Sequence, residues 1–140
     1  MSGGTINSKH SPGKPAKDGR KLRGQAAEEL AAQYLLSEGY KIVERNWRCR
    51  SGELDIIALK DGMLVIVEVR SRSSRSSRSS AFGTPAESMT PRKIRQVRDT
   101  AAVYMLQQGT STASVRFDLI GIVLGPSMEA ESLEHYIASF

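Results

Sequence analysis

The sequence lacks features that mark several common classes of protein. Cys49 is the only cysteine in 140 residues, which excludes an intramolecular disulfide and a cysteine-rich zinc site. No apolar run approaches the ~18 residues that a membrane-spanning helix needs, so no membrane partner is expected. The first 19 residues have no apolar centre of the kind found in a secretory signal, and the default expectation is a cytoplasmic protein.

Motifs of several enzyme classes are also missing. The chain contains no glycine-rich nucleotide-binding loop, no zinc-ligand spacing and no arrangement of a nucleophile with a histidine. His10 and His135 have no ligand partner nearby in sequence, and we interpret both as incidental. With 39% hydrophobic residues, the chain is nevertheless long enough to form one domain with a buried core.

The most informative part of the sequence is GELDIIALKDGMLVIVEVRSR, residues 52–72. Asp61 and Gly62 lie between two apolar runs, and Asp-Gly in that setting is the strongest short-range signal of a β-hairpin. Both faces of the hairpin are largely apolar, so we expect it in the middle of a sheet that is covered on both sides. The register of the hairpin depends on the length of its turn.

A two-residue turn in this hairpin brings acidic side chains together. In that register Asp55 faces Glu68 with Cβ atoms roughly 5 Å apart, where like charges are destabilising. A shared divalent cation, a shared proton or a nearby arginine could offset the repulsion. The same register places Glu53 opposite Arg70, so a simple ion pair between these two residues is an alternative role for Arg70.

Positive charge is concentrated in two regions of the chain. Residues 1–27 carry six Lys or Arg and one Asp, and residues 70–98 carry eight basic residues and one Glu. Clustered positive charge indicates a surface for a polyanion. Solvated segments kept soluble by their charge are an equally weighted alternative. The candidate nucleic-acid-binding residues are Arg72, Arg75, Arg78, Arg92 and Lys93.

The order of predicted elements indicates an α/β sandwich around a mixed sheet. Residues 1–19 are predicted to be a disordered basic tail, and residues 20–140 a single domain. The predicted elements are a helix over Arg20–Ser37, a strand over Tyr40–Arg50, the hairpin, a mobile Arg-Ser loop over Ser71–Ser80, a helix from Thr90-Pro91 to Gly109, a strand over Val115–Leu124 and a short edge strand within Leu133–Phe140.

Glu28 is the acidic residue of the first helix that can reach the core. At about 100° per residue it lies close in projection to Leu35, at the border of the apolar face, whereas Glu29 points to solvent. Taken alone, a boundary residue in contact with water is the simpler interpretation of Glu28.

The order of these acidic residues resembles that of the PD-(D/E)xK nuclease superfamily. The match consists of Glu28, Gly52-Glu53-Leu54-Asp55 and Glu68-Val69-Arg70. More closely, the chain is similar to the YraN family of small uncharacterised bacterial proteins, which resemble archaeal Holliday-junction resolvases in fold. This resemblance covers about residues 20–124 and extends to AEELAAQYL, Asn46-Trp47-Arg48, VEVRSR and Arg116-Phe117-Asp118.

The resemblance implies a restriction-endonuclease-like fold, a mixed central sheet flanked by helices. By analogy, Asp55 and Glu68 would ligate Mg²⁺ or Mn²⁺, with the Val69 carbonyl as a further ligand and Glu28 completing or orienting the water shell. The superfamily's lysine position holds Arg70. An arginine is effectively always protonated, so it cannot act as a general base, although it can hold a phosphate or polarise water.

Two functions follow as expectations from the resemblance. The first is a metal-dependent endonuclease that hydrolyses phosphodiester bonds in branched or otherwise structured DNA. The second is a nucleic-acid-binding module that keeps the fold without turnover. A third alternative is a protein whose carboxylates are only structural. Because junction resolvases act as dimers, the analogy also implies a homodimer.

Overall fold

The computed structural model describes residues 15–74, with side chains from residue 19, and residues 88–110 and 114–140. Two helices and five strands form an α/β fold. They are α1 (Pro15–Ser37), β1 (Lys41–Cys49), β2 (Gly52–Lys60), β3 (Met63–Ser73), α2 (Pro91–Gln107), β4 (Val115–Leu124) and β5 (Ala130–Tyr136). The strands form one open sheet in the order β1-β2-β3-β4-β5. Strands β3 and β4 are parallel, and the other neighbours are antiparallel.

The two helices cover opposite faces of the sheet, as the two apolar faces of the central hairpin require. Helix α1 packs against one face, in a cluster that includes Ala31, Leu35, Ile56 and Val67. Helix α2 packs against the other face, in a cluster that includes Ile57, Ile66, Val97 and Tyr104. This mixed sheet between two helices confirms the predicted fold class and is consistent with a restriction-endonuclease-like architecture.

The hairpin turn has the predicted length. Asp61 and Gly62 both have positive φ, at 50° and 77°, which is the requirement of a type I′ turn. Backbone pairing between β2 and β3 runs from Lys60↔Met63 to Ile56↔Val67. The register predicted from the two-residue turn is therefore confirmed over this ladder.

Strands β2 and β3 stop pairing after Ile56 and Val67, and each continues with its other neighbour. Strand β2 follows β1 as far as Gly52, and β3 follows β4 as far as Ser73. The result is a fork between the two central strands, with Asp55 and Glu68 as the first residues beyond the ladder. Regular alternation also fails here: Leu54 was expected on the face of Ile56 but packs in the cluster beneath α2.

Predicted boundaries differ from the structure at the start of α1, at the end of β3 and at β5, which spans Ala130–Tyr136 rather than lying within Leu133–Phe140. Helix α1 begins at Pro15 rather than Arg20, since proline is well suited to the first turn of a helix. Ser71–Ser73 was predicted to be loop, but it belongs to β3 because β4 offers backbone partners whatever the side chains are.

Residues 1–14 of the predicted tail, and Arg75 and Arg78 of the predicted loop, lie outside the described residues. Within the described part of the chain, no helix has the length and apolar character to cross a bilayer.

A buried polar network ties β5 to the rest of the fold. Asp118 is fully buried and accepts two hydrogen bonds from Arg116, at 2.9 and 2.8 Å. His135 bonds to Asp118 through Nε2 and to Tyr34 of α1 through Nδ1, at 2.8 and 3.0 Å. The interpretation of His135 as incidental was therefore wrong. Its partners lie 17 and 101 residues away in the chain, where sequence spacing gives no signal.

We predict that Asp118 contributes to stability at neutral pH and loses that contribution in acid. Burial raises its pKa, but hydrogen bonds from His135, Arg116 and the Ala138 amide outweigh burial and lower the pKa to about 2, from an ordinary 3.8. A lowered folded-state pKa stabilises the fold above the unfolded value, by about 2 kcal/mol here, and this is lost as pH falls through 2. Asp118→Asn should therefore reduce the free energy of unfolding at pH 7.

Urea unfolding of wild type and Asp118→Asn at pH 7, 4 and 2.5 measures this contribution. The difference between the two proteins should shrink at the lowest pH. Glu131→Gln, an exposed change on β5, is the matched control and should have little effect. A difference that is equally large at every pH would contradict an ionic role for Asp118.

Candidate active site

Asp55 and Glu68 hold the fork between β2 and β3 through reciprocal hydrogen bonds. The Val69 amide donates to Asp55 Oδ2 at 2.9 Å, and the Asp55 amide donates to Glu68 Oε2 at 3.3 Å. Each carboxylate thus gives a hydrogen-bond partner to a backbone amide beyond the end of the β2–β3 ladder. One oxygen of each carboxylate, Asp55 Oδ1 and Glu68 Oε1, remains without a hydrogen bond from the described residues.

Lys93 reaches this pair from helix α2. Its Nζ lies 3.8 Å from Glu68 Oε1, and Glu68 is only 1% exposed. Thr90 fixes the start of the helix, because its Oγ1 accepts a hydrogen bond from the Lys93 amide at 3.2 Å, a standard N-cap interaction. The N-cap predicted at Thr90-Pro91 is confirmed. It sets the position from which Lys93 extends toward the fork.

Burial and mutual repulsion make both carboxylates harder to ionise. Burial and the charge of Asp55 raise the pKa of Glu68 to about 8, against the opposing effects of Lys93 and Arg70. Burial also raises the pKa of Asp55, although the Val69 amide and Arg70 act in the opposite direction. Near neutral pH the pair therefore favours either a shared proton or a bound cation.

Glu28 approaches the same place from helix α1. It is half-buried, and burial followed by the charge of Asp55 raises its pKa. The Asn46 side chain hydrogen-bonds to it and works in the opposite direction. Glu28 is thus more than an isolated boundary residue in water, since it is electrostatically coupled to Asp55.

Asn46 occupies an irregular position in β1 directly opposite Asp55. The flanking pairs are Arg45↔Ile56 and Trp47↔Leu54. Asn46 itself has φ of 53°, a left-handed conformation that asparagine tolerates better than most residues. This break in the strand coincides with its contact to Glu28.

Arg70 lies beside the carboxylates but does not form the expected pair with Glu53. Its guanidinium donates to Ser88 Oγ at 3.2 Å and to the Val69 carbonyl at 3.3 Å. Glu53 instead lies 3.6 Å from Arg48, its direct neighbour in the β1–β2 ladder. The ion pair predicted for Arg70 was wrong because β2 leaves β3 and joins β1 at this point.

The donor set of the fork fits a hard divalent cation with additional ligands from water or substrate. Asp55 and Glu68 each have one oxygen to offer, and the Val69 carbonyl lies next to them in the chain. Mg²⁺ is usually bound through one or two carboxylates plus waters and substrate phosphates. Across residues 15–74, 88–110 and 114–140, no three acidic, histidine or cysteine side chains form a complete metal-binding group.

The predicted nucleic-acid-binding residues divide between the two faces of the sheet. Arg72 lies near the end of β3, in a pocket that α1 helps to form. Arg92 and Lys93 lie in the first turn of α2, where Arg92 is exposed and Lys93 contacts Glu68.

Sequence reasoning missed two parts of the site. It gave Lys93 a role only in contacting nucleic acid, although the structure brings its ammonium to the carboxylate pair. It gave Asn46 no role in the site. The one available signal was an asparagine in the middle of a predicted strand, where this residue type is depleted.

The fold and site together define a class: an α/β protein of restriction-endonuclease-like architecture, with a buried carboxylate pair where its two central strands separate. Comparison with known proteins gives a more particular assignment. Residues 27–122 match the model of Uncharacterised protein family UPF0102. The chain belongs to this family, which is the YraN family that the sequence motifs resemble.

Relatives in the family are similar over most of their length. The chain is 44% identical to a UPF0102 protein of Persephonella marina over 102 residues, which is 73% of this chain and 84% of the relative. It is 43% identical to a UPF0102 protein of Desulforamulus reducens over 118 residues, 83% of this chain and 93% of the relative.

We predict that, in the absence of divalent cations, ionisation of Glu68 lowers the free energy of unfolding as the pH rises. Its folded-state pKa of about 8 is above the ordinary 4.5. The neutral acid therefore stabilises the fold fully below pH 4.5, and this contribution is lost as pH rises through 8. Glu68→Gln, which cannot ionise, should become progressively more stable than wild type between pH 5 and pH 8.5.

Thermal melts in EDTA at pH 5, 7 and 8.5 test this expectation. Glu53→Gln, a change to a more exposed carboxylate on β2, provides the control and should show no such trend. A wild-type protein that gains stability relative to Glu68→Gln as pH rises would contradict the buried-acid description.

Proposed function

We propose that the protein is a metal-dependent endonuclease that hydrolyses phosphodiester bonds in branched or otherwise structured DNA. The observation that carries this proposal is the fork, where the buried Glu68 and the half-buried Asp55 each keep one carboxylate oxygen without a hydrogen bond from the described residues, beside Lys93. A bound cation would allow both carboxylates to ionise near neutral pH, where without it they favour a shared proton. Family membership is compatible with the proposal and does not itself specify an activity.

Asp55, Glu68 and the Val69 carbonyl would hold Mg²⁺ or Mn²⁺ at the fork. When bound, the cation would lower the pKa of a water and stabilise negative charge on the phosphate. The amides of Val69 and Asp55 each fix one carboxylate oxygen. The other oxygen of each carboxylate is therefore held in place for a cation, and the two side chains need not rearrange when the cation binds. Backbone amides of β2 and β3 therefore position the two carboxylate ligands.

Lys93 is well placed to do the work of the superfamily's motif lysine. Arg70 occupies the motif position, but its guanidinium is held by Ser88 and the Val69 carbonyl. A lysine ammonium can give up a proton, whereas an arginine guanidinium does not. We infer that Lys93 orients the attacking water or stabilises the phosphate, and that Arg70 contributes only positive charge.

Glu28 and Asn46 complete the proposed site from the α1 side. Glu28 is coupled to Asp55 through its charge and holds the Asn46 side chain. A carboxylate with a raised pKa close to a reactive water can accept its proton. In this proposal Glu28 orients the water through a hydrogen bond and does not bind the cation directly.

Cleavage of a labelled four-way DNA junction tests the proposed function. Wild type should cut the junction in Mg²⁺ or Mn²⁺, with linear duplex and single strand assayed beside it. Glu68→Gln removes one charged oxygen ligand, and Lys93→Met removes the ammonium. Each should slow cleavage by about 10²-fold or more, the scale found when a preorganised electrostatic contact is removed.

Two further variants serve as matched controls for that assay. Lys41→Met removes an exposed lysine charge at the start of β1, outside the site, and should retain most of the activity. Lys93→Arg keeps the positive charge in a group that does not become neutral by giving up a proton, and it therefore separates a role of charge from a role in proton transfer. Equal cleavage by wild type and Glu68→Gln would indicate a contaminating nuclease. Tight binding without cleavage by wild type would favour the inactive binding module.

A further inference from the structure

A second concentration of positive charge lies on the α1 side of the sheet. A cavity of about 410 Å³ opens between the N-terminal half of α1 and the end of β3. Among the residues whose side chains the structure describes, four arginines and no acidic residue line it. Its charged lining residues are Arg20, Arg23, Arg70 and Arg72.

Arg20, Arg23 and Arg72 have no acidic partner within ion-pair distance in the described part of the chain, and Arg70 acts on Asp55 and Glu68 without forming an ion pair. The ion pairs formed by the described residues involve Arg45, Arg48, Lys93, Arg116 and His135, and none of the four pocket arginines. Arg23 and Arg72 are nevertheless half-buried. Gathering like charges in a recess is unfavourable unless an anion enters it. The arrangement therefore points to an anionic ligand.

Guanidinium groups suit phosphate in particular. Their planar array of N–H donors can make paired hydrogen bonds to phosphate oxygens, which a lysine ammonium does only as a point charge. The pocket follows β3 from Val69 to Ser73, roughly 13 Å at ~3.3 Å per residue. This length exceeds one phosphate group and fits consecutive phosphates of a strand.

The pocket is continuous with the carboxylate fork through two residues of β3. Val69 lines the pocket, and its amide holds Asp55 at 2.9 Å. Arg70 also lines the pocket, while its charge acts on both Asp55 and Glu68. A strand with one phosphate at the fork could thus place its next phosphates in the pocket.

We propose that Arg20, Arg23 and Arg72 form a binding site for the backbone phosphates of the nucleic-acid strand that passes the Asp55–Glu68 fork. This inference rests on the proposed function for its choice of ligand. The site adds α1 to the substrate-binding surface, alongside the N-terminal turn of α2 on the opposite face. The two basic regions would hold the strand on both sides of the carboxylates.

Binding of a labelled single-stranded oligonucleotide with a 5′-hydroxyl end tests the pocket. The variant is Arg20→Ala/Arg23→Ala, and Lys21→Ala/Lys41→Ala is a control that removes the same charge from exposed positions outside the pocket. Anisotropy titrations in EDTA at several salt concentrations give the dissociation constant and its salt dependence. The pocket variant should bind about tenfold more weakly, with a log–log salt slope smaller by about 1.4, or 0.7 for each lost phosphate contact.

The control should keep its affinity within about threefold and its salt slope nearly unchanged. Arg72→Ala, at the β3 end of the pocket, should weaken binding in the same direction without changing α1. Equal losses in the pocket variant and the control would overturn the proposal, because they would reflect net charge alone. Unchanged binding in both the pocket variant and Arg72→Ala would also overturn it.

A 5′-phosphorylated oligonucleotide and inorganic pyrophosphate distinguish a strand backbone from a phosphate monoester. Equal effects of the variant on both oligonucleotides support backbone binding. A loss confined to the phosphorylated one, together with displacement by millimolar pyrophosphate, would assign the pocket to a terminal or free phosphate and overturn the backbone assignment. Because these titrations contain no divalent cation, they are independent of cleavage. If wild type does not cleave any of the DNA substrates, the proposed nuclease activity is refuted and the proposed phosphate site still stands. If the pocket variants bind as tightly as wild type, the phosphate site is refuted and the nuclease proposal still stands.

Discussion

The separation of β2 and β3 after Ile56 and Val67 is the constraint on which the site depends. In the register of the hairpin, a continuous ladder would pair Asp55 with Glu68 and Leu54 with Val69, and would place the two carboxylates side by side. Instead each carboxylate accepts a backbone amide across the fork. Buried polar groups must find partners, so the fork and the carboxylates require each other. Without the carboxylates, the two backbone amides at the fork would lose these hydrogen bonds, and without the fork the carboxylates would lose their donors.

The two helices bring different chemistry to this fork from opposite faces of the sheet. Helix α2 presents Lys93 to Glu68, in a position fixed by the Thr90 cap. Helix α1 brings Glu28 toward Asp55 and, nearer its N-terminus, supplies two arginines of the pocket. The buried Asp118 network lies on β4 and β5, away from the fork. It acts as a structural anchor through which β5 and α1 are joined to the sheet.

Local patterns predicted the parts of the fold that depend on local interactions. The Asp-Gly turn determined the hairpin register, and the Thr-Pro cap determined the start of α2, because both are short-range backbone effects. The path of β2 toward β1 is a tertiary effect, so local patterns gave neither the partner of Glu53 nor the face on which Leu54 packs. The residues of α1 and α2 that reach the fork were only partly predictable, since helix periodicity gives the direction of Glu28 but not the distance from Lys93 to Glu68.

Anomalous diffraction from crystals soaked in Mn²⁺ tests the central claim most directly. The account predicts an anomalous peak in the fork, in contact with Asp55 Oδ1 and Glu68 Oε1, that is absent from crystals of Glu68→Gln. Lys93 should then move away from Glu68 or exchange its partner for a water or phosphate. A wild-type crystal with no peak, in which Glu68 still contacts Lys93 at saturating Mn²⁺, would contradict it.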